Sequence, residues 1–189
     1  VMTGSDLSVE MLRQAAEKAR RQGLPIPFVR QDLRKLQMHR PMDAIVCACD
    51  GVNYLLQDAD VLAFFQAAYE TLRPGGGLFF DVSSRHKIET QLANQCYGED
   101  REQVCYFWQN HYSPGKRVVQ MDLTFFTLEP DGRYARFCET HFQRAHTIEE
   151  LLSWLRAAGF VQLEVFGGKS LIKPEPDEDR IHFCAIRPA

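Results

Sequence analysis

Apolar positions fall into two styles along the chain. Up to about residue 83 they come as short blocks separated by helical spacing; beyond residue 100 they alternate. Met2 to Ser5 reads as the end of a strand. Ser8 suits a helix N-cap, with Leu7 and Leu12 at the flanking staple positions. Met11, Leu12, Ala15, Ala16 and Ala19 form one helical stripe, which Gly23 ends; Pro25 and Pro27 keep the link extended. Phe28-Val29 is a short strand. Ala44 to Ala48 is an unbroken apolar run, the pattern of a strand covered on both faces. A second helix is predicted over 58–72, then a turn at Pro74-Gly75-Gly76-Gly77 and a buried strand at Leu78 to Val82.

Strand and helix in this alternation predict a parallel sheet with helices on both faces. Such sheets bind ligands beyond the carboxyl ends of their strands, which draws attention to Asp6, Asp32, Asp50, Asn53 and Ser83. The second half departs from this plan. Residues 103–112, 117–128 and 133–144 are long, aromatic and partly alternating, with turns at Ser113-Pro114-Gly115-Lys116 and Glu129-Pro130-Asp131-Gly132. They predict a three-stranded antiparallel meander. Thr147 and Glu150 have capping-box spacing ahead of a helix over 148–158, stopped by Gly159. Val161 to Phe166 and Ile181 to Ile186 read as closing strands. Their connection, Gly167 to Asp179, is too short for a crossover helix, so they should pair antiparallel.

Composition narrows the function classes. With 189 residues, 45% hydrophobic and 25% charged, the chain can build one sizeable core. A net charge of -3 disfavours a general nucleic-acid role, and no Lys/Arg stripe accompanies the meander aromatics. No run approaches the roughly twenty apolar residues of a membrane span, and no secretory signal is visible, so a cytoplasmic protein is expected. The six cysteines are expected reduced: Cys47, Cys138 and Cys184 lie in strand-like runs. No partner pair or spaced histidine completes a zinc pattern around Cys47 and Cys49, so no metal is expected.

Five stretches in order, GSDLSVEMLRQAAEKA, FVRQDLRKL, MDAIVCACDGVNYL, LRPGGGLFFDV and RAHTIEELLSWLRAAGF, resemble the class I S-adenosylmethionine-dependent methyltransferases, in particular small bacterial type 11-like members. The resemblance spans nearly the whole chain except the meander. It implies an α/β, Rossmann-like, seven-stranded sheet with an antiparallel last strand, a three-stranded antiparallel insertion, and S-adenosyl-L-methionine as cofactor. It also implies one methyltransferase domain over 1–189, with 103–144 as an inserted subdomain or lid. The given sequence begins at the family's second strand. The first strand and its glycine-rich loop are expected upstream, or else the sequence is an inactive fragment; without them a central part of the sheet should stand exposed.

The resemblance assigns Asp6 to the cofactor ribose and Leu7 to the adenine face; a helix-start carboxylate is the plainer reading of Asp6. Asp32 would bond the adenine amine and Leu33 pack on the ring, against a surface loop acid as the alternative. Cys49 would offer backbone near the methionine moiety. Asp50 or Asn53 would bind its amino group or position substrate. No activating base stands beside Cys49 in sequence, so a nucleophilic thiol is not expected. Gly75 to Gly77 follow a helix and precede a strand, the reverse of a phosphate loop, and are structural. His86 is a candidate base or a solvated loop residue. Within the meander, His111 is a second candidate and Arg144 a holder of an acidic substrate group; the meander itself is either a lid or a subunit interface. The expected reaction is in-line methyl transfer to a small-molecule acceptor by a cytoplasmic enzyme able to form a homodimer. A nicotinamide-dependent oxidoreductase and a non-catalytic relative of the same fold are the competing readings; no Tyr-x-x-x-Lys pair supports the former.

Overall fold

The computed structural model describes residues 1–168 and 171–189. Among the described residues ten strands fall into three sheets. β1 (Gly4–Asp6) pairs parallel with β2 (Phe28–Arg30), and α1 (Val9–Arg21) connects them. β3 (Met42–Cys47), β4 (Leu72–Ser83), β9 (Val161–Gly167) and β10 (Arg180–Ile186) form a second sheet in the order β3-β4-β10-β9. β3 and β4 are parallel; β10 runs antiparallel to both its neighbours, as the closing-strand pattern predicts. Residues 169–170 of the connection before β10 lie outside the described residues; the described part holds turns and no helix.

The third sheet is the meander. It has four strands rather than the expected three: β5 (Cys96–Asp100), β6 (Val104–Ser113), β7 (Val118–Leu128) and β8 (Tyr134–Arg144), all antiparallel. β5 escaped the sequence reading because Cys-Tyr-Gly-Glu-Asp neither alternates nor carries β-branched residues; it is a strand because β6 offers it an edge.

The main core lies on one face of the four-stranded sheet. Phe64, Phe65 and Ala68 of α2 (Asp58–Thr71) and Leu151 and Leu155 of α3 (Ile148–Ala157) pack on Leu78, Phe80, Val82 and Phe183. Phe80 and Phe183 stack with centroids 4.7 Å apart. The expectation that β3 is covered on both faces is corrected. Ile45 and Cys47 turn to this core, whereas Val46, on the opposite face, is 73% exposed, and Phe79 beside it is half open. No ladder joins β1 or β2 to β3 among the described residues, so the parallel series is split into two sheets. Another correction concerns Pro74 to Gly77. They do not separate helix from strand but form a bulge inside β4, with Met42 opposite Leu72 and Ala44 opposite Gly77.

Candidate functional site

Asp6, Asp32, Asp50, Asn53 and Ser83 sit at or just past the ends of parallel strands. Asp6 closes β1. One of its carboxylate oxygens accepts the Ser8 N–H at 2.8 Å, and Ser8 in turn caps α1 through the Met11 N–H. The other oxygen makes no hydrogen bond among the described residues. The carbonyl of Asp6 accepts from Gln31 N–H at 3.1 Å, which places it beside the turn that follows β2. Leu7 is exposed next to it.

Asp32 caps the short 3₁₀ turn Leu33–Lys35. Its carboxylate takes the Arg34 N–H at 3.0 Å and an ion pair with the Arg34 guanidinium at 2.5 Å, which holds it below the usual carboxylate range. Arg34 also reaches Asp60 of α2 at 3.4 Å. Leu33 packs onto the core and its side chain lies against Gly51. The turn after β2 is therefore in contact with the loop after β3.

That loop holds two consecutive strained residues. Cys49 and Asp50 both take left-handed conformations, φ 61° and 63°. Such positions cost non-glycine residues about 1–3 kcal/mol each unless neighbours impose them. Here Asp81, buried in β4, imposes them. Its carboxylate accepts the Cys49 N–H at 2.8 Å and the Asp50 N–H at 3.4 Å. Arg180, at the start of β10, bonds both Asp81 and the Asp50 carboxylate, the latter at 2.7 Å. Gly51 follows because a Cβ there would stand 2.7 Å from the Cys47 sulfur.

Asn53 is corrected as a substrate-contacting candidate. It is fully buried; its Oδ1 accepts the Ser83 N–H at 3.0 Å, and its Nδ2 donates to the carbonyls of Ser83 (3.1 Å) and Arg144 (2.9 Å). Its amide is used up in joining β4, β8 and its own turn. Arg144 is likewise committed. Its Nη1 donates to the Leu56 carbonyl at 3.0 Å and the Asp58 carboxylate at 2.5 Å, Glu150 lies 3.6 Å away, and the side chain is buried, which keeps it from an acidic substrate. His111 lies on the outward face of the meander, in register with Gln120 and Phe142 and 3.9 Å from Asp122. The opposite face packs on Ile88 and Leu92, so the structure does not bring His111 to the strand ends. His86 caps a π-helical segment, Lys87–Leu92, and lines a cavity of about 340 Å³ with Ser84, Arg85 and His146.

Two participants lie outside the sequence reading: Asp81, which interrupts an apolar strand and so carries a signal, and Arg180, which carries no local signal at all. Tyr54, the residue after Asn53, places its hydroxyl 3.4 Å from His141 Nδ1 of β8. Among the described residues no cluster of metal-ligating side chains occurs, and no helix is long and apolar enough to cross a membrane.

Residues 1–76 match a family model described as a methyltransferase domain. A protein of Geobacillus sp. (strain WCH70), assigned by name to the methyltransferases, is 33% identical over 98% of this chain and 75% of its own. YqeM of Bacillus subtilis (strain 168), assigned likewise, is 34% identical over 97% of this chain and 74% of its own. A crystal structure of an S-adenosylmethionine-dependent methyltransferase from Clostridium acetobutylicum ATCC 824 superposes with a TM-score of 0.91, at 31% identity, over 99% of this chain and 75% of that one. The chain belongs to the S-adenosylmethionine-dependent methyltransferases. Its cofactor is S-adenosyl-L-methionine and its reaction is methyl transfer. The donor set of this methyltransferase suits such a group. Asp6 has a carboxylate oxygen open to a ribose diol, and the Cys49-Asp50 loop presents backbone and an acid. Asp32 is the acceptor type an exocyclic amine needs, but Arg34 bonds both its carboxylate oxygens, so that contact requires Arg34 to give way.

Proposed function

We propose that this methyltransferase binds its cofactor along the carboxyl ends of β1, β2 and β3 and methylates a small-molecule acceptor. Asp6 holds the ribose diol and Leu7 covers the adenine. Asp32 meets the exocyclic amine, with Leu33 against the ring. The Cys49-Asp50 backbone and the Asp50 carboxylate receive the amino-acid end. The observation that carries this assignment is the strained loop, clamped by Asp81 and Arg180 and touching the Leu33 turn. Left-handed residues held so firmly cluster at ligand clamps.

Bound here, the cofactor would supply a methyl group on a positively charged sulfur, a leaving group that needs no proton. The chain therefore contributes alignment and exclusion of water rather than acid catalysis on the leaving group. In this reading the meander is a lid. Its support is the pinning of β8 to the strand ends through Arg144 to Asp58 and Asn53 to the Arg144 carbonyl. The reading also has the enzyme act in the cytoplasm, on no nucleic acid, and as a homodimer; exposed Phe107 and Phe142 on the outward meander face favour the last.

Isothermal titration of the intact protein tests the core of this reading. S-adenosyl-L-methionine and its demethylated product should bind and NAD should not. Binding of NAD alone would overturn it.

A further inference from the structure

Tyr54 ends the turn that begins directly after Asp50. Its ring meets the His141 ring edge to face, with centroids 5.9 Å apart. On the far side of that imidazole, Nε2 lies 3.1 Å from the Glu139 carboxylate. An ionised carboxylate can only accept, so Nε2 carries a hydrogen, and in the neutral ring the lone pair of Nδ1 then faces the Tyr54 hydroxyl. The phenol donates to His141 and accepts from the Gln143 side chain, which leaves one oxygen lone pair for something else. The other groups facing that hydroxyl are Asp50, from its own loop, and Glu139 and Gln143 of β8. Burial pushes the phenol up, Gln143 pulls it down, and the charges of Asp50 and Glu139 push it up further, so Tyr54 stays protonated and passes a proton on rather than holding a charge.

The three groups remain within reach of a diffusible molecule: Tyr54 is 46% exposed, and the His141 and Glu139 side chains 34% and 51%. The surrounding contacts fix them. Arg144, three residues beyond His141, is tied to Leu56 and Asp58, and its carbonyl to Asn53. Such an arrangement costs little reorganisation at the moment of reaction.

We propose that Tyr54, His141 and Glu139 form a proton relay serving the acceptor, and that the acceptor is a hydroxyl or a protonated amine. The proposal rests on the methyl-transfer reading above. As the acceptor heteroatom bonds to the methyl carbon, its bond to hydrogen breaks and supplies the electron pair. The proton goes to the Tyr54 oxygen, while the phenol's own proton moves to His141 Nδ1. The carbon's former bond leaves its electrons on sulfur. The products are a methylated acceptor, a neutral thioether and an imidazolium paired with Glu139. A neutral amine or a thiolate needs no such removal before attack, which is why the relay selects the acceptor class.

Two measurements on the intact protein test this. In the first, imidazole nitrogen NMR without cofactor should show His141 with the hydrogen on Nε2, and Glu139→Gln should disturb that tautomer. A hydrogen on Nδ1 would overturn the relay. In the second, tritiated S-adenosyl-L-methionine is incubated with an ultrafiltered small-molecule extract of the cells that make the protein. His141→Gln and Tyr54→Phe should each lower label transfer about 100-fold or more while binding of the demethylated cofactor is kept. The loss in both variants should fall on the maximal rate and leave the KM for the cofactor in place. Transfer unchanged in both variants would overturn the relay and leave the methyl-transfer reading standing. No transfer by the wild type would overturn that reading itself. Hydriodic acid then separates the two acceptor arms, since it releases volatile methyl iodide from an O-methyl group and leaves an N-methyl group in place.

Discussion

The carboxylate of Asp81 holds the backbone of Cys49, accepting its N–H at 2.8 Å across the gap between β4 and the end of β3. The same carboxylate takes the Asp50 N–H and Arg180, so one buried acid keeps two left-handed residues and a cation in place. Asp81→Asn should therefore act on both stability and binding. Loss of charge-assisted hydrogen bonds in a buried setting is worth about 2–3 kcal/mol, read as a lower urea midpoint. Cofactor affinity should fall with it, and Arg180→Met should fall in the same direction. An unchanged midpoint would remove Asp81 from its role as the clamp.

Asn53→Ala should be a stability variant. It strands the N–H and carbonyl of Ser83 and the Arg144 carbonyl in a buried place. Unpaired buried groups cost about 1–3 kcal/mol apiece, so a total near 3 kcal/mol is expected after partial relaxation. Thermal unfolding checks it.

Asp6→Ala should weaken cofactor binding about 10-fold or more, the worth of charged hydrogen bonds to a diol, with little change in melting temperature. Ser8 still caps α1 through its own hydroxyl, so the helix survives the loss of the Asp6–Ser8 contact. An unchanged dissociation constant would take Asp6 out of the site.

Stability should fall with acid in two windows. Burial drops His146 to about 4, helped by the charge of Arg144 and only partly opposed by contacts with the Val52 and Leu55 backbone. The unfolded chain then binds the proton more readily, so stability present above about pH 6.5 is lost as pH falls toward 4. Burial raises Glu150, but Arg117, the Thr147 N–H and Arg144 outweigh it and bring the group to about 2. Its contribution is complete above about pH 4.5 and disappears as pH falls through about 2. Melting temperature against pH should lose the upper window in His146→Phe and the lower one in Glu150→Gln.

The parts of this protein that were legible in sequence are those whose cause is local. The Thr147–Glu150 capping box forms with both reciprocal bonds, because the two residues lie within one helical turn. Ser8 caps α1 as its position dictates, and the alternating runs became β6, β7 and β8. The order of strands and acids was enough to indicate the family. Helical periodicity, pleat alternation and capping need only neighbours a few residues away, so the chain alone determines them. What the tertiary structure decided is everything that joins distant segments. Asp81 meets Arg180 across 99 positions, Asn53 meets the Arg144 carbonyl across 91, and Tyr54 meets His141 across 87. Sequence could propose Asn53, Arg144 and His111 for chemistry, yet register and packing spent the first two on joining elements and turned the third outward. The same holds for β5, which exists because β6 had an edge to fill, and for the split between β2 and β3. A side chain's chemistry is written in its residue type, but whether it is free to act depends on which partners folding brings within hydrogen-bond reach.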